Sequence, residues 1–587
     1  ASPFQGSCRS LHNWVAINGA DYLGVGTNLK FYIQGGNSFY DITPNRRTVS
    51  LTAAAIATVN TTTTITITDI GHGSIVGDFV TFNGLLAVNG ITASNLNIEH
   101  QISTVLDSNV YTIIVGGAAT STGTGSGGDA FTATYQINTG LTSSAGGTGW
   151  GAGLWGGQVL GGSATTLNGA ISSTSSTSNI TLSSATGFSS GSSTLSSTII
   201  DTDSSVTIGS ATGFPDKGTI SIGSEIISYG TLTGDVFTDL TRGAFGTTAA
   251  GHTAGDTVTY LGVILIDQEL ITYTGISTND LTGISRGTRG TTGATHGDGS
   301  LVQDARSFIG WGESSSISVT NEIRLWSQDN YEGDLIFNVR DGAVYVWEEA
   351  NGLLTRGVDL TSLTGASNVP VVAKQVLTSD RDGHIICFGT NPLGSSTQDP
   401  LLVRWSNRDS KVNWDIDAST TAGDMPLGSG SEFVKAVETK RQIIIWTDTA
   451  MYSMTFVGAP DTFAFTQISN NTTIVSPNAV GNVDDVLFWM GRETFYMYDG
   501  RVRQLPCPIR FKVFGNLNSS RLRTIYAGIN SEFTEVIWFY SSSSSQENDS
   551  YVVYNYGEQV WYYGSLSRTA WLDRGIRPFP QSTGVES

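Results

Sequence analysis

The sequence predicts an all-β protein: a β-propeller core of about six blades, split by inserted small β domains. Three observations predict it. Helical periodicity is nearly absent, with no long segment placing apolar residues at i, i+3, i+4 and i+7. Short apolar runs bounded by Gly, Asn, Asp and Ser take its place. Five continuous runs, starting at Leu335, Ile385, Ile443, Val486 and Val536, recur at intervals of 50, 58, 43 and 50 residues. A strand apolar on both faces must be covered on both faces, and a repeat of that length fits radially stacked blades. A tandem of β-sandwich domains is the alternative.

The chain has 587 residues, enough for several domains. Fifty acids against 30 Lys and Arg leave a formal charge of −20, yet charged residues are only 14% of the total. No run of about 18 apolar residues is present, so no membrane span is expected. No secretory leader pattern opens the chain, and its first residue is Ala, which points to numbering that starts inside a longer product. Cys8, Cys387 and Cys507 make no disulfide framework, so synthesis in a reducing cytoplasm is expected. An acidic chain is also not a free nucleic-acid binder of the counterion-releasing kind.

Residues 1–47 supply the first blade strands: Tyr22–Gly26, Leu29–Ile33 and Phe39–Ile42. Joining N- and C-terminal strands would close the propeller and set this unit beside the last blade. Residues 48–135 read as one inserted β domain, with strands Ile65–Ile70, Asp78–Phe82, Asn97–Ile102 and Tyr111–Val115. A Gly/Trp-rich return, 136–165, follows, and Gly310-Trp311-Gly312 echoes it. Residues 166–305 form a second insertion with tandem 44-residue β modules: Gly218–Tyr229 matches Gly262–Tyr273, Glu225 pairs with Glu269, Arg242 with Arg286 and His252 with His296. A shorter echo, Ile180–Phe188 against Ile208–Phe214, precedes them. Between 48 and 241 the single base Lys217 faces eleven acids.

Residues 306–587 carry the remaining blades. Each apolar run is followed by an aromatic-rich strand: Val344–Trp347, Leu401–Trp405, Met451–Phe456, Phe495–Tyr498 and Tyr551–Tyr556. The apolar runs are expected innermost and the aromatic strands further out, where many of the 13 Trp and 20 Tyr would be exposed in a monomer; this favours a chain that assembles. Asp341-Gly342, Asp382-Gly383 and Asp499-Gly500 suggest type I′ turns, with positive φ at both residues.

No motif carries chemistry. Gly151-Ala152-Gly153-Leu154-Trp155-Gly156 matches GxGxxG, but no helix pattern follows and the next 40 residues hold no acid. His12, His72, His100, His252, His296 and His384 have no metal-ligand spacing. Asp380-Arg381-Asp382-Gly383 and Asp201-Thr202-Asp203 lack a closing Glu and read as turns. There is no nucleophile elbow and no Walker A sequence. The expectation is no catalytic, cofactor-binding or metal residue, no cofactor and no enzymatic activity.

Several longer stretches resemble a known family: Ser10–Ile17 (SLHNWVAI), Thr27–Ile33 (TNLKFYI), Trp326–Tyr331 (WSQDNY) and Asn338–Trp347 (NVRDGAVYVW), then Trp446–Gly458, Trp489–Leu505 and Tyr551–Trp571. They are similar to the tail nozzle, or tail tubular protein B-like, virion proteins of short-tailed bacteriophages. The resemblance covers 1–47 and about 309–587. It implies a propeller-based structural subunit in a homo-oligomer, a hexameric ring below an adaptor near the portal. The ring would extend the DNA channel, retain the packaged genome and pass it during ejection. Implied partners are the adaptor, tail fibres or spikes, a needle or plug protein, and genomic DNA passing non-specifically. The implied location is the virion tail. The chain stops at Ile576–Ser587, where a further blade strand is expected. Neutral or acidic walls suit a conduit, because a basic lining would hold each phosphate. The competing readings are a receptor-binding or fibre-like tail protein and a tail-associated polysaccharide hydrolase.

Overall fold

The computed structural model describes residues 4–125, 130–142, 157–158, 163–174, 179–267, 269–289, 291–305, 309–310, 323–379, 381–543 and 545–584. They fall into two compact units, Ala1–Ala145 with Asn321–Ser587, and Gly146–Thr320. The Gly-rich hexapeptide 151–156, the patch at 311–312 and Asp380 lie outside the described residues.

The first unit is built on six four-stranded antiparallel sheets, each a simple meander. Blade one contains Cys8–Val15, Asp21–Thr27, Phe31–Gly35 and Ser38–Asp41. Blades two to six open on Trp326–Tyr331, Gln375–Ser379, Phe433–Glu438, Val480–Val483 and Tyr526–Asn530. A two-stranded sheet, Ala570–Leu572 with Gln581–Thr583, packs between the opening strands of blades six and one. The opening strands therefore stand side by side around an axis, which is a β-propeller. Closure differs from the expected pairing of terminal strands, because blade one takes all four of its strands from the N-terminal segment.

The apolar runs prove to be second strands. The opening strand is more polar, and the reason is its free edge. An inner strand has only one neighbour in its own sheet, so its other backbone groups need partners from elsewhere. The neighbouring blade supplies them. Asp329 Oδ2 accepts from the Thr378 amide at 2.9 Å and Ser327 Oγ from the Val376 amide at 2.8 Å. Gln375 spans Ala436, donating to its carbonyl and accepting from its amide, at 2.8 and 2.9 Å. These steps advance together along both strands, so the inner strands run parallel.

Hydrophobic cores lie between blades. Trp14, Phe31, Trp326, Phe337 and Trp347 fill the space between blades one and two; Trp446, Trp489 and Trp538 belong to one core spanning blades four to six. Trp347, Trp414, Trp446, Trp489 and Trp538 are all fully buried. The described Trp are not exposed as expected, because the next blade covers them, while Tyr562 and Tyr563 on the last strand of blade six are exposed. The Asp-Gly turns also differ from type I′. One residue of each pair is left-handed: Asp341 at φ 60°, Gly383 at 69° and Gly500 at 103°. The reason is length, since these loops hold three or more residues and a single left-handed residue closes them. Strand 495–498, for instance, resumes only at Val502.

The first insertion is an eight-stranded sheet, and it enters and leaves at one place because Asn45–Thr52 pairs with Ala130–Gln136. The four expected strands are present as Thr64–Thr68, Phe79–Asn83, Glu99–Asp107 and Val110–Ile114. Lys30 of blade one pairs with Asp41 at 2.9 Å and with Glu99 of the insertion, and Arg356 lies against the same two acids.

In the second unit, Gly157–Gln158 pairs with Ile309–Gly310, so the two ends of the insertion meet. The two repeat copies are nested rather than strung in series. Ala164–Thr166 and Asn179–Thr181 pair with Leu301–Asp304 and Asp280–Thr282. Ser192–Thr194 and Val206–Thr207 pair with Thr257–Tyr260 and Val236–Thr241. The inner module therefore interrupts the outer one, and the echo Ile180–Phe188 against Ile208–Phe214 marks the first half of each. Each module has a private core, Ile220, Ile227, Phe237 and Val258 in one, Ile264, Ile271, Leu281 and Val302 in the other. Equivalent loop residues of the two copies meet, with Arg289 stacked 3.9 Å over Phe245.

Candidate functional site

Two charged assemblies stand out. The first lies at the end of the propeller where the inner strands begin. Arg9, in a bulge of the first strand, is fully buried and donates Nη2 to both oxygens of Glu547 at 2.8 and 2.7 Å and to the Thr142 carbonyl. Arg340 donates to the carbonyls of Val434 and Phe433 at 3.0 and 2.9 Å. Lys374 pairs with Asp341 at 3.0 Å and Glu432 at 3.2 Å, and Glu432 also takes Arg523 at 3.2 Å. Burial works to raise the Glu432 carboxyl, but Arg523, Lys374 and Arg340 win and hold it below its ordinary range. One network thus ties blades two, three, four and six together.

Cations outnumber acids here: Arg9, Arg340, Lys374, Arg521 and Arg523 against Asp341, Glu432 and Glu547. Lys435, on the inner strand of blade four, has its amine pushed down to about 8, by desolvation first and by Arg340 second. The loops at the opposite end join first to second strands. They carry Glu332, Asp382, Asp484, Asp485 and Glu532 against Arg381, Lys440 and Arg441.

The second assembly is a carboxylate lock, present once in each nested module. Glu225 is fully buried and accepts from Arg242 Nε and Nη2 at 2.8 and 2.9 Å, from the amides of Gly243 and Ala250, and contacts His252 at 2.7 Å. Glu269 repeats this with Arg286, Gly287, Ala294 and His296. Burial raises each carboxyl, but these hydrogen bonds outweigh it and leave both at about 2. The RGxxGTT loop is the wrapping that brings its own amides to the acid. Every partner is internal, so the arrangement fixes a loop rather than presenting a reactive group. The offset of 44 was the signal for it.

The remaining flagged residues fill structural positions. His12 meets Asn330 across blades at 3.1 Å, His100 meets the Leu96 carbonyl at 2.9 Å, His72 meets the Asp107 carbonyl and His384 meets Thr421. Asp203 accepts from the Ile200 amide at 2.8 Å, a turn bond. Asp382 takes Ser379 and Arg381. No metal-binding cluster occurs among the described residues. Burial pushes the thiols of Cys8 and Cys507 up to about 11 and that of Cys387 to about 12, which keeps all three protonated and poorly nucleophilic at neutral pH. The axial cluster escaped sequence reasoning because its members come from five blades and share no spacing.

No protein-family model matches the chain, and no curated protein does. Among solved structures it is similar to Hsv2 of Kluyvelomyces marxianus, at 8% identity and a TM-score of 0.25, over 40% of this chain and 59% of that one. It is also similar to AztD from Citrobacter koseri, at 8% identity and a TM-score of 0.25, over 63% and 97%. A functionally unknown protein from Desulfotomaculum acetoxidans aligns at 9% identity and a TM-score of 0.24, over 63% and 100%.

Proposed function

We propose that the chain is a structural subunit of a short phage tail, a nozzle protein whose copies form a ring that extends the DNA channel, holds the packaged genome and passes it during ejection. The observation that carries this reading is where the family-like stretches fall. Ser10–Ile17 and Thr27–Ile33 lie in blade one, Trp326–Tyr331 and Asn338–Trp347 in blade two, and Trp446–Gly458, Trp489–Leu505 and Tyr551–Trp571 in blades four, five and six and the closing sheet. The resemblance thus follows the scaffold and skips both insertions, as expected when a shared ring-forming core carries variable attachments. An adaptor, fibres or spikes and a plug protein would be its neighbours, and DNA would pass without sequence-specific contact.

Negative-stain imaging of the purified chain, with antibody labelling of virions, tests this. Squat rings with a central hole, and label at the tip of a short tail, are the expected result. Elongated trimers would turn the reading towards a receptor-binding fibre, and release of reducing ends from host capsule towards a hydrolase.

A further inference from the structure

We propose that copies of this chain join head to tail through two different outer edges of the propeller, the edge of blades five and six on one copy against the edge of blade three on the next. The inference rests on the ring-forming reading above and adds its contact surfaces.

The two edges differ in the way a heterologous contact needs. Blade six ends on Val560–Ser565, a strand with no sheet neighbour on its outer side. It exposes Val560 and Tyr563, at 45 and 46%, and beside it Phe511 is 80% exposed. Lys512 donates to the Tyr563 hydroxyl at 2.7 Å and sits 4.0 Å over that ring. Blade five ends on Val502–Leu505, whose surroundings expose Arg501, Arg503 and Lys512. Asp499 pairs with Arg503 and Glu558 is exposed beside Val560, so three exposed cations stand against these two acids, an aromatic and weakly basic edge on a chain whose net charge is −20.

Blade three ends on Gly423–Pro426, also without an outer neighbour. It exposes Asp424 and Met425, and the loop before it exposes Ile416 and Asp417. This edge is acidic with two aliphatic side chains. Around the axis, counting the closing two-stranded sheet, blade three lies three steps from blade six and two from blade five, so the two edges lie on different sides of the propeller. An acidic edge on one side and a weakly basic edge on the other give a self-complementary repeat that closes into a ring when the rotation permits. Each open strand also offers backbone donors and acceptors to the other.

Native mass spectrometry of the purified full chain across concentration tests this. Arg501→Glu with Arg503→Glu, and separately Asp417→Lys with Asp424→Lys, are expected to raise the dissociation constant of assembly about tenfold or more. Combining all four restores the attraction and is expected to recover assembly, which a folding defect would not do. Phe511→Asp weakens assembly without such recovery, and unchanged thermal melting of each variant separates contact loss from misfolding. If the wild-type chain assembles and none of these changes weakens it, the edge assignment is overturned while the ring reading stands. A wild-type chain that stays monomeric at every concentration overturns both.

Discussion

The propeller and the nested modules are both all-β, yet they are held together differently. Blades share their cores: a single hydrophobic cluster runs from Val434 of blade four through Trp489 of blade five to Tyr554 of blade six. The modules do not share theirs; each has its own cluster and its own Glu–Arg–His lock. Cohesion in the ring is therefore collective, while cohesion in the modules is local. A substitution in the ring should weaken every blade, and the matching substitution in a module should stop at its boundary.

The largest effect is expected at Trp538. Its ring is fully buried, lies 4.8 Å from Phe495, and its Nε1 donates to the Ala479 carbonyl of blade five at 3.0 Å. Trp538→Ala removes the most contact area and one interblade bond, at about 3–5 kcal/mol. Denaturant unfolding should show the loss in the ring's transition alone, with amides of several blades losing exchange protection together. Loss confined to blade six would break the comparison.

Next come the locks. Glu269→Gln leaves Arg286 buried and short of its charge partner, a change worth about 3–5 kcal/mol for a buried pair. Hydrogen exchange should rise across the outer module and leave the blades unchanged. The same group sets a pH dependence. Its folded carboxyl sits at about 2, below the ordinary 4.5, so at low pH the unfolded chain binds the proton first. The lock's contribution is complete above about 4.5 and disappears as pH falls through about 2. Acid should therefore loosen the modules over that window, and Glu225→Gln with Glu269→Gln should flatten the response.

The two regions were not equally legible in sequence. The locks showed as a gapless repeat because both partners of each ion pair lie within one module, Glu225 and Arg242 only 17 residues apart. Four of the eight strands of the first insertion were legible, because a sheet buried on one face keeps its period-two pattern. Propeller blades were counted correctly from their second strands, but their inner strands were missed. Stretches such as Trp326–Tyr331 look like loop, since their Ser, Gln and Asp side chains serve the next blade's backbone rather than their own sheet. The nested order escaped too, because only pairing, such as Ile180 with Leu281, tells which first half belongs to which second half.

Within the ring, Lys435 sharpens the comparison in the opposite direction. Its folded amine is held at about 8, below the ordinary 10.5, so the unfolded chain binds more protons between those values and stability rises with pH there. Below about 8 the charged amine opposes folding. Lys435→Met should raise the ring's melting temperature at pH 7, and the advantage should fade as pH climbs towards 10.5. A lysine that serves as an attachment point for the cluster would give the reverse, a loss at pH 7.

The smallest effect separates the two modules from each other. Position 267 is Asp, and His296 reaches it through Nδ1 at 2.7 Å while Nε2 holds Glu269 at 2.8 Å. The equivalent position in the inner module is Gly223, which offers no carboxylate, and His252 meets Glu225 through Nε2. Both positions have left-handed backbone, φ 53° at Asp267 and 57° at Gly223, where glycine is favoured. Asp267→Gly therefore loses a His–carboxylate contact whose acid is 59% exposed and gains backbone ease. The net loss should be about 0.5 kcal/mol or less, and smaller still in 1 M salt, which screens exposed pairs. Gly223→Asp, where a side chain meets open space, should shift the inner module by a similarly small amount. Hydrogen exchange of the two modules in both variants reads this directly. A loss at Asp267→Gly as large as that at Glu269→Gln would mean that the lock is a four-residue unit in the outer module, and that the two copies hold their loops by different means.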